Sequence, residues 1–180
     1  DVYKRLAYEI SVQLGIDSSV GMLNLDAAKA CELACLTVPF AHQESTLLSI
    51  DDALHNKIMI DATVPLMPPK VMRVQLPEAG SAALNAQSIL GENTTVISAF
   101  QNISAELLQT DADIDCDVLV AGDLIDARNI VIKLAADAGL TGWHAGPLCN
   151  SVAAEALTSI LIAINKKHSL AHSGIKITGH

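Results

Sequence analysis

Short apolar runs alternate along this chain with longer segments in which apolar side chains recur every three or four positions. Leu33-Ala34-Cys35-Leu36-Thr37-Val38 and residues 57–62, 95–99 and 117–121 are near-continuously apolar, as parallel strands covered on both faces are. Residues 24–31, 43–54, 81–90 and 125–138 carry helical periodicity instead. This alternation predicts an α/β fold built on a doubly wound, mostly parallel sheet. Val2, Leu6 and Ile10, four apart, predict a helix at the start. Asn150-Ser151 is a plausible cap for a long helix reaching about Lys167. That helix is apolar around much of its circumference (Val152, Ala156, Leu157, Ile160, Leu161, Ile164), which predicts burial against the sheet or a second subunit. Residues 174–179 offer an additional edge strand.

Two junctions between apolar and polar sequence stand out. Val96-Ile97-Ser98-Ala99-Phe100-Gln101-Asn102-Ile103-Ser104-Ala105 reads as a buried strand entering a polar loop, and His144-Ala145-Gly146-Pro147-Leu148-Cys149-Asn150-Ser151 repeats the pattern. Open parallel sheets bind ligands beyond the carboxyl ends of their strands, so these junctions mark a cofactor or substrate cleft. Thr37-Val38-Pro39 and Thr63-Val64-Pro65 stand at corresponding strand ends, where proline stops the ladder and fixes the exit direction.

At 180 residues the chain suits one domain. Half of it is apolar (51%) but only 3% is aromatic, so the core consists of Ala, Leu, Ile and Val and favours close helix-on-sheet packing. A net charge of -9 with no basic run argues against nucleic acid as a partner. Cys31, Cys35, Cys116 and Cys149 are scattered in or beside apolar runs and point to a reduced cytoplasm and core thiols. No signal peptide opens the sequence. The apolar tract 152–164, interrupted by Glu155, Thr158 and Ser159, falls short of the roughly 20 residues a membrane span needs. A soluble protein without a membrane partner is expected.

Candidate chemistry is sparse. There is no G-x-G-x-x-G turn, whose glycines let backbone approach a pyrophosphate, and no G-x-S-x-G elbow for a nucleophilic serine. His168 and His172 have the spacing of two zinc ligands on one helix face, but no third ligand is in sight, and no metal is expected. Cys31 and Cys35 straddle a helix-to-strand boundary, so their side chains should diverge. Gly80-Ser81 most simply begins a helix. His144 is either a proton donor or a hydrogen-bonded strand-end residue, and Asp61 and Asp123 cap loop backbone. The Gln101 and Asn102 amides suit either a ligand's carboxamide or uracil-like edge or the capping of their own loop.

Several of these segments also occur, in the same order, in a known family. They are Leu36-Thr37-Val38-Pro39-Phe40, Asp61-Ala62-Thr63-Val64-Pro65, Ser98-Ala99-Phe100-Gln101-Asn102-Ile103-Ser104-Ala105, Cys116-Asp117-Val118-Leu119-Val120-Ala121-Gly122-Asp123, Ala145-Gly146-Pro147-Leu148, Glu155-Ala156-Leu157-Thr158 and Gly174-Ile175-Lys176-Ile177-Thr178-Gly179. Together they resemble the NADPH-dependent F420 reductases, or F420:NADP oxidoreductases, over residues 21–179.

The resemblance implies a Rossmann-like protein, usually dimeric, that moves a hydride between C4 of the NADP nicotinamide and C5 of the deazaflavin coenzyme F420. It implies that Thr37, Val38, Pro39 and Phe40 lie beside the NADP adenosine and pyrophosphate. Gln101, Asn102, Ile103, Ser104 and Ala105 would line the nicotinamide, and Gly146, Pro147, Leu148 and Asn150 would border the deazaflavin. No catalytic dyad is needed, because the protein mainly stacks two rings in a dry cleft.

The family's Gly-rich first strand-helix-strand unit and its 2′-phosphate-reading Ser-Arg have no counterpart here. The expected organisation is thus an N-terminally truncated NADP-binding domain over 1–145 and a small C-terminal helix-strand extension on the F420 side over 146–180. Two alternatives stay open: another small Rossmann reductase of the pyrroline-carboxylate or ferric reductase kind, and a non-catalytic Rossmann-like module that dimerises through the helix after Asn150.

Overall fold

The computed structural model describes residues 8, 9, 11, 12, 20–110 and 113–179. Of the expected opening helix, Tyr8, Glu9, Ser11 and Val12 are helical, while Val2, Leu6 and Ile10 lie outside the described residues. The rest forms a five-stranded sheet in the order β1 (Leu33–Leu36), β2 (Ile58–Asp61), β3 (Thr95–Ser98), β4 (Asp117–Ala121), β5 (Thr141–Gly146). The helices are α1 (Asn24–Ala30), α2 (Gln43–Leu54), α3 (Ala82–Leu90), α4 (Ile125–Asp137) and α5 (Ser151–His168). The expected α/β doubly wound, mostly parallel sheet is present.

Burial explains the strands. Met59 and Val96 point into one core with Leu47, Ile50 and Leu54 of α2 and Ala83, Ala86 and Leu90 of α3. Their neighbours Ile60 and Ile97 point into the opposite core, with Ala127, Val131 and Ala135 of α4. Successive strand residues face opposite sides, so helices on both faces require a continuous apolar run. The alanines on α3 and α4 bring the helix backbones close to the sheet. Ser81 caps α3 by accepting from the backbone N–H of Leu84 at 3.0 Å, as a helix-starting serine should.

β1, β2 and β3 are parallel, and β4 is parallel to β5, but β3 meets β4 antiparallel at the single pair Ser98 and Ala121. In register, Leu36 faces Asp61, Asp61 faces Ser98, Ser98 faces Ala121, and Ala121 faces Gly146. The last residues of all five strands therefore lie in one row, with β1–β3 extending to one side of it and β4–β5 to the other. Gly122 makes this meeting possible. A Cβ there would stand 2.2 Å from Cδ1 of Ile97 and 3.3 Å from the Val96 carbonyl oxygen.

Three expectations are corrected. Residues 174–179 form no strand: Asp117 N–H donates to the Ile175 carbonyl, but the Ile177 N–H is intercepted by the Asp117 carboxylate at 2.7 Å, so no ladder propagates. Of the two partners open to α5, the sheet side takes its small and polar face and not its apolar bulk. Its buried face is Ser151, Ala154, Glu155 and Ser159, whereas Ile160 and Ile164 are 44% and 37% exposed. Small and polar residues are needed there because α5 crosses the start of α3, whose backbone donors require acceptors. Asn150 does not cap α5; its amide donates back to the Ala145 carbonyl at 2.6 Å. Of the thiols, only Cys116 is buried, while Cys35 on edge strand β1 and Cys149 are exposed. By length and composition alone, Leu148–His168 is apolar enough to cross a membrane.

Candidate functional site

Asp61 stands in the row of strand ends between Leu36 and Ser98 and is fully buried. The Gln43 amide nitrogen, at the start of α2, reaches its Oδ2 at 2.6 Å, Thr63 Oγ1 at 2.9 Å and the Ala82 carbonyl at 2.9 Å, while Asn85 donates to Gln43 Oε1. Thr63 N–H donates to Asp61 Oδ1 at 2.8 Å. Burial raises the Asp61 pKa to about 6, against the lowering effect of its bonds to Thr63 and Gln43.

Glu155 belongs to the same polar layer. Its carboxylate accepts from the backbone N–H of Ala82 and Ala83, a favourable place for an anion at a helix N-terminus. Burial lifts its pKa to about 7, with the Asp61 charge adding to the rise. Beside it the hydroxyls of Ser81 and Ser151 lie 2.7 Å apart.

The loop after β3 turns sharply at Phe100, a non-glycine residue at φ 72°. Such strain persists only where the surroundings over-determine it. Gln101 and Asn102 follow, both buried. The Gln101 amide donates to the Asp61 carbonyl and Ser98 Oγ, each at 2.8 Å; that of Asn102 donates to the Ala154 carbonyl at 2.8 Å and Thr158 Oγ1 at 3.1 Å. Thr158 Oγ1 returns a bond to the Gln101 carbonyl at 2.9 Å. Of the two roles open to these amides, their N–H groups serve the protein itself, fixing the loop to β2, β3 and α5.

Beyond these residues opens a cleft of 440 Å³, walled by residues 101–106, by Thr158, Leu161, Ile162 and Asn165 of α5, and by residues 171–173. Its size falls in the range of small-molecule sites. All five residues expected from Gln101 to Ala105 line it. Thr37 and Val38 line a second recess of 320 Å³ between α1, β1 and α2, and Phe40 lies half-buried in the short turn that follows the exposed Pro39. Cys31 and Cys35 line this same recess rather than diverging.

Gly146 ends β5 at φ 91°, and a Cβ there would stand 2.6 Å from the Asn150 amide nitrogen. Arg128 of α4 holds this end in place by donating to the Gly122 and Gly146 carbonyls. Pro147 and Asn150 are exposed, but the Leu148 side chain is 1% exposed and belongs to the α2–α3 core, so only its backbone faces the loop side. Asp123 caps that backbone, accepting from Leu148 N–H at 2.9 Å, as its strand-end position predicts. His144 is exposed on β5.

His168 and His172 are not on one helix face, because α5 ends at His168 and Ser169 turns left-handed. Among the described residues no group of three or more His, Cys, Asp or Glu side chains is placed to hold a metal. His172 instead places Nδ1 2.9 Å from Ser104 Oγ and Nε2 3.6 Å from the Glu106 carboxylate. The sequence reading missed Gln43 and Glu155. Gln43 shares the buried face of α2 with Leu47, Ile50 and Leu54, and Glu155 is an acid within an apolar helix; a polar residue on an apolar stripe was the available signal.

The F420-dependent NADP reductase of Methanocaldococcus jannaschii is 36% identical to this chain over 178 residues, which cover 96% of this chain and 79% of that one. The enzyme of the same description from Methanothermobacter marburgensis is 37% identical over 164 residues, 88% of this chain and 73% of its own. Among solved structures, a candidate F420-dependent NADP reductase from Arthrobacter sp. FB24 superposes with a TM-score of 0.79 at 21% identity, over 88% of this chain and 74% of that chain. That likeness is one of fold. No protein-family model matches the chain.

Proposed function

Because this chain belongs to the family of F420-dependent NADP reductases, we propose that the row of strand ends and the 440 Å³ cleft beside it are where its two substrates meet. The protein is an oxidoreductase that transfers a hydride between NADP(H) and F420. The observation that carries this reading is the identity of 36–37% to reductases of that name over most of the chain. Neither the pyrroline-carboxylate and ferric reductase readings nor the non-catalytic module has comparable support.

Thr37 and Val38 at the recess beside β1, with Pro39 and Phe40 just beyond it, are assigned to the NADP adenosine and pyrophosphate. Gln101, Asn102, Ile103, Ser104 and Ala105 are assigned to the nicotinamide, and Gly146, Pro147, Leu148 and Asn150 to the deazaflavin, Leu148 through its backbone. Residues 1–145 then form the NADP side and 146–180 the F420 side, joined by the Glu155 and Asn102 hydrogen bonds. The chain's own contribution is to hold these loops rigid, so that two flat rings stack at a fixed separation.

A homodimer formed through the outer face of α5 is part of the proposal, because Ile160 and Ile164 leave an apolar stripe exposed in the middle of that helix. Four unpaired cysteines support a reducing, cytoplasmic setting.

The test is to mix the purified chain with NADPH and F420 and follow the bleaching of deazaflavin fluorescence. Bleaching that needs both NADPH and the protein is expected. A folded sample that neither turns F420 over nor alters its fluorescence would remove the assignment.

A further inference from the structure

β3 and β4 meet at one register pair, Ser98 with Ala121, so the ladder itself does little to fix β4 and β5 against β1–β3. Beyond that pair β4 runs on to Gly122, so close to Ile97 that a Cβ would stand 2.2 Å from its Cδ1. β5 ends beside it in a bulge: Val120 faces His144 and Ala121 faces Gly146, so Ala145 has no partner on β4. A bulge bends its strand and disrupts the ladder locally. This one falls directly before the turn assigned to the deazaflavin, and the β3–β4 seam lies directly before the loop assigned to the nicotinamide.

Arg128 of α4 closes both irregularities with one nitrogen. Its Nη1 donates to the Gly122 carbonyl and, at 2.8 Å, to the Gly146 carbonyl, which also accepts from Gly122 N–H at 3.0 Å. Two carbonyl oxygens converge there, and the guanidinium charge strengthens both bonds. The same side chain leaves its Nε buried with no hydrogen-bond partner among the described residues. A buried cation that is only partly satisfied is unfavourable for stability, and such a group calls for a role beyond it. The shape of the turn does not depend on Arg128, because Asp123 accepts from Leu148 N–H and the Asn150 amide donates to the Ala145 carbonyl. What Arg128 governs is where that turn stands relative to the end of β3.

We infer that Arg128 is a positioning residue for hydride transfer. By gathering the Gly122 and Gly146 carbonyls it holds turn 146–150 at one distance from loop 101–105, and so sets the gap between the two rings without touching either. The inference rests on the substrate assignments above and adds to them the residue that registers one substrate against the other. Its loss slows the transfer itself, since the rate is steep in the separation of the reacting atoms, while each substrate still finds its own loop intact.

The experiment compares Arg128→Met and Arg128→Lys with the unaltered protein. Turnover gives kcat and both KM values, fluorescence titration gives the F420 Kd, and NADPH deuterated at the transferred position gives the isotope effect on kcat. A misplacement of about 1 Å predicts a kcat about 100-fold lower in Arg128→Met, with a full primary isotope effect. The F420 Kd and both KM values should stay within about threefold, the signature of an interaction that acts only in the transition state. Lysine, whose single ammonium can donate to both carbonyls, should return kcat to within about tenfold of the unaltered protein. An unchanged kcat in Arg128→Met, a loss confined to affinity, or a lowered kcat without an isotope effect overturns the inference. A role in stability alone would lower the urea midpoint and leave the kcat of the folded protein as it was. If Arg128→Met does not fold, Arg128→Gln, whose shorter amide cannot span both carbonyls, decides by the same readings. If the unaltered protein neither binds nor reduces F420, it is the reading of the substrate that has failed. The clamp is then judged by amide exchange over residues 145–150: faster in the variant supports it, unchanged overturns it.

Discussion

The carboxylate of Glu155, on α5, stands 2.6 Å from the backbone nitrogen of Ala82 and caps the first turn of α3. An acid borrowed from another helix thus does the work of a local capping residue, and it is buried while doing so. The folded-state pKa of Glu155 rises from 4.5 to about 7 and that of Asp61 from 3.8 to about 6, burial being the main cause of both. Raised acids bind protons more tightly in the folded than in the unfolded state. Their stabilising effect is full below about pH 4 and is lost as pH rises towards 7, by at most about 3 kcal/mol per group. Urea midpoints measured from pH 4.5 to 7.5 should therefore fall with pH, and Glu155→Gln should flatten the part between 4.5 and 7. An identical slope in the variant would contradict the buried-acid account.

Gln43→Leu keeps the bulk of the side chain but removes its donors to Asp61, Thr63 and the Ala82 carbonyl, and the acceptor used by Asn85. Buried groups left without partners cost about 2–3 kcal/mol in total. The Asp61 pKa should rise further, because the Gln43 bond lowers it. Chemical denaturation checks the first effect and the steepness of the pH profile the second; a loss under about 0.5 kcal/mol would mean that water replaces the amide.

Gly146→Ala places a Cβ 2.6 Å from the Asn150 amide nitrogen at a backbone φ of 91°. The expected cost is about 1–2 kcal/mol of stability. If residues 146–150 border the deazaflavin, the F420 KM rises while that for NADPH does not. An equal change in both would detach this turn from F420.

Ile160→Lys with Ile164→Lys adds two charges to the outer face of α5 without touching its buried face of Ser151, Ala154, Glu155 and Ser159. Sedimentation should show the unaltered chain as a dimer and the double variant as a folded monomer. A monomeric unaltered chain would refute an interface at this face.

The core strands and most helices were legible because burial on both faces leaves little choice of residue. The 43–54 helix and the 117–121 strand coincide with α2 and β4, since Leu47, Ile50 and Leu54 in one, and Val118 and Val120 in the other, have nowhere to go but inward. β5 was not picked out as an apolar run, because as the edge strand it keeps Thr141, Trp143 and His144 exposed. The antiparallel meeting of β3 and β4 has no periodicity to betray it; its mark is the space that Gly122 leaves beside Ile97. Which face of α5 turns to the sheet was not legible, since its apolar residues outnumber the small and polar ones that are buried there. The cleft loop was located from the strand-to-polar junction at Gln101, but the tail that closes it was invisible. A bond between His172 and Ser104 joins positions 68 apart in the chain, and no local pattern encodes it.

The single row formed by Leu36, Asp61, Ser98, Ala121 and Gly146 sets the segments assigned to the two substrates on one continuous sheet. Reductases that bind their two partners on separate lobes can adjust the donor–acceptor gap by swinging one lobe. Here the loops after β1, β3 and β5 issue from one hydrogen-bonded lattice, so the gap is set when the chain folds and substrate binding has little leverage over it. Temperature should then alter the rate through ring fluctuations inside a fixed frame, with no open and closed populations to redistribute.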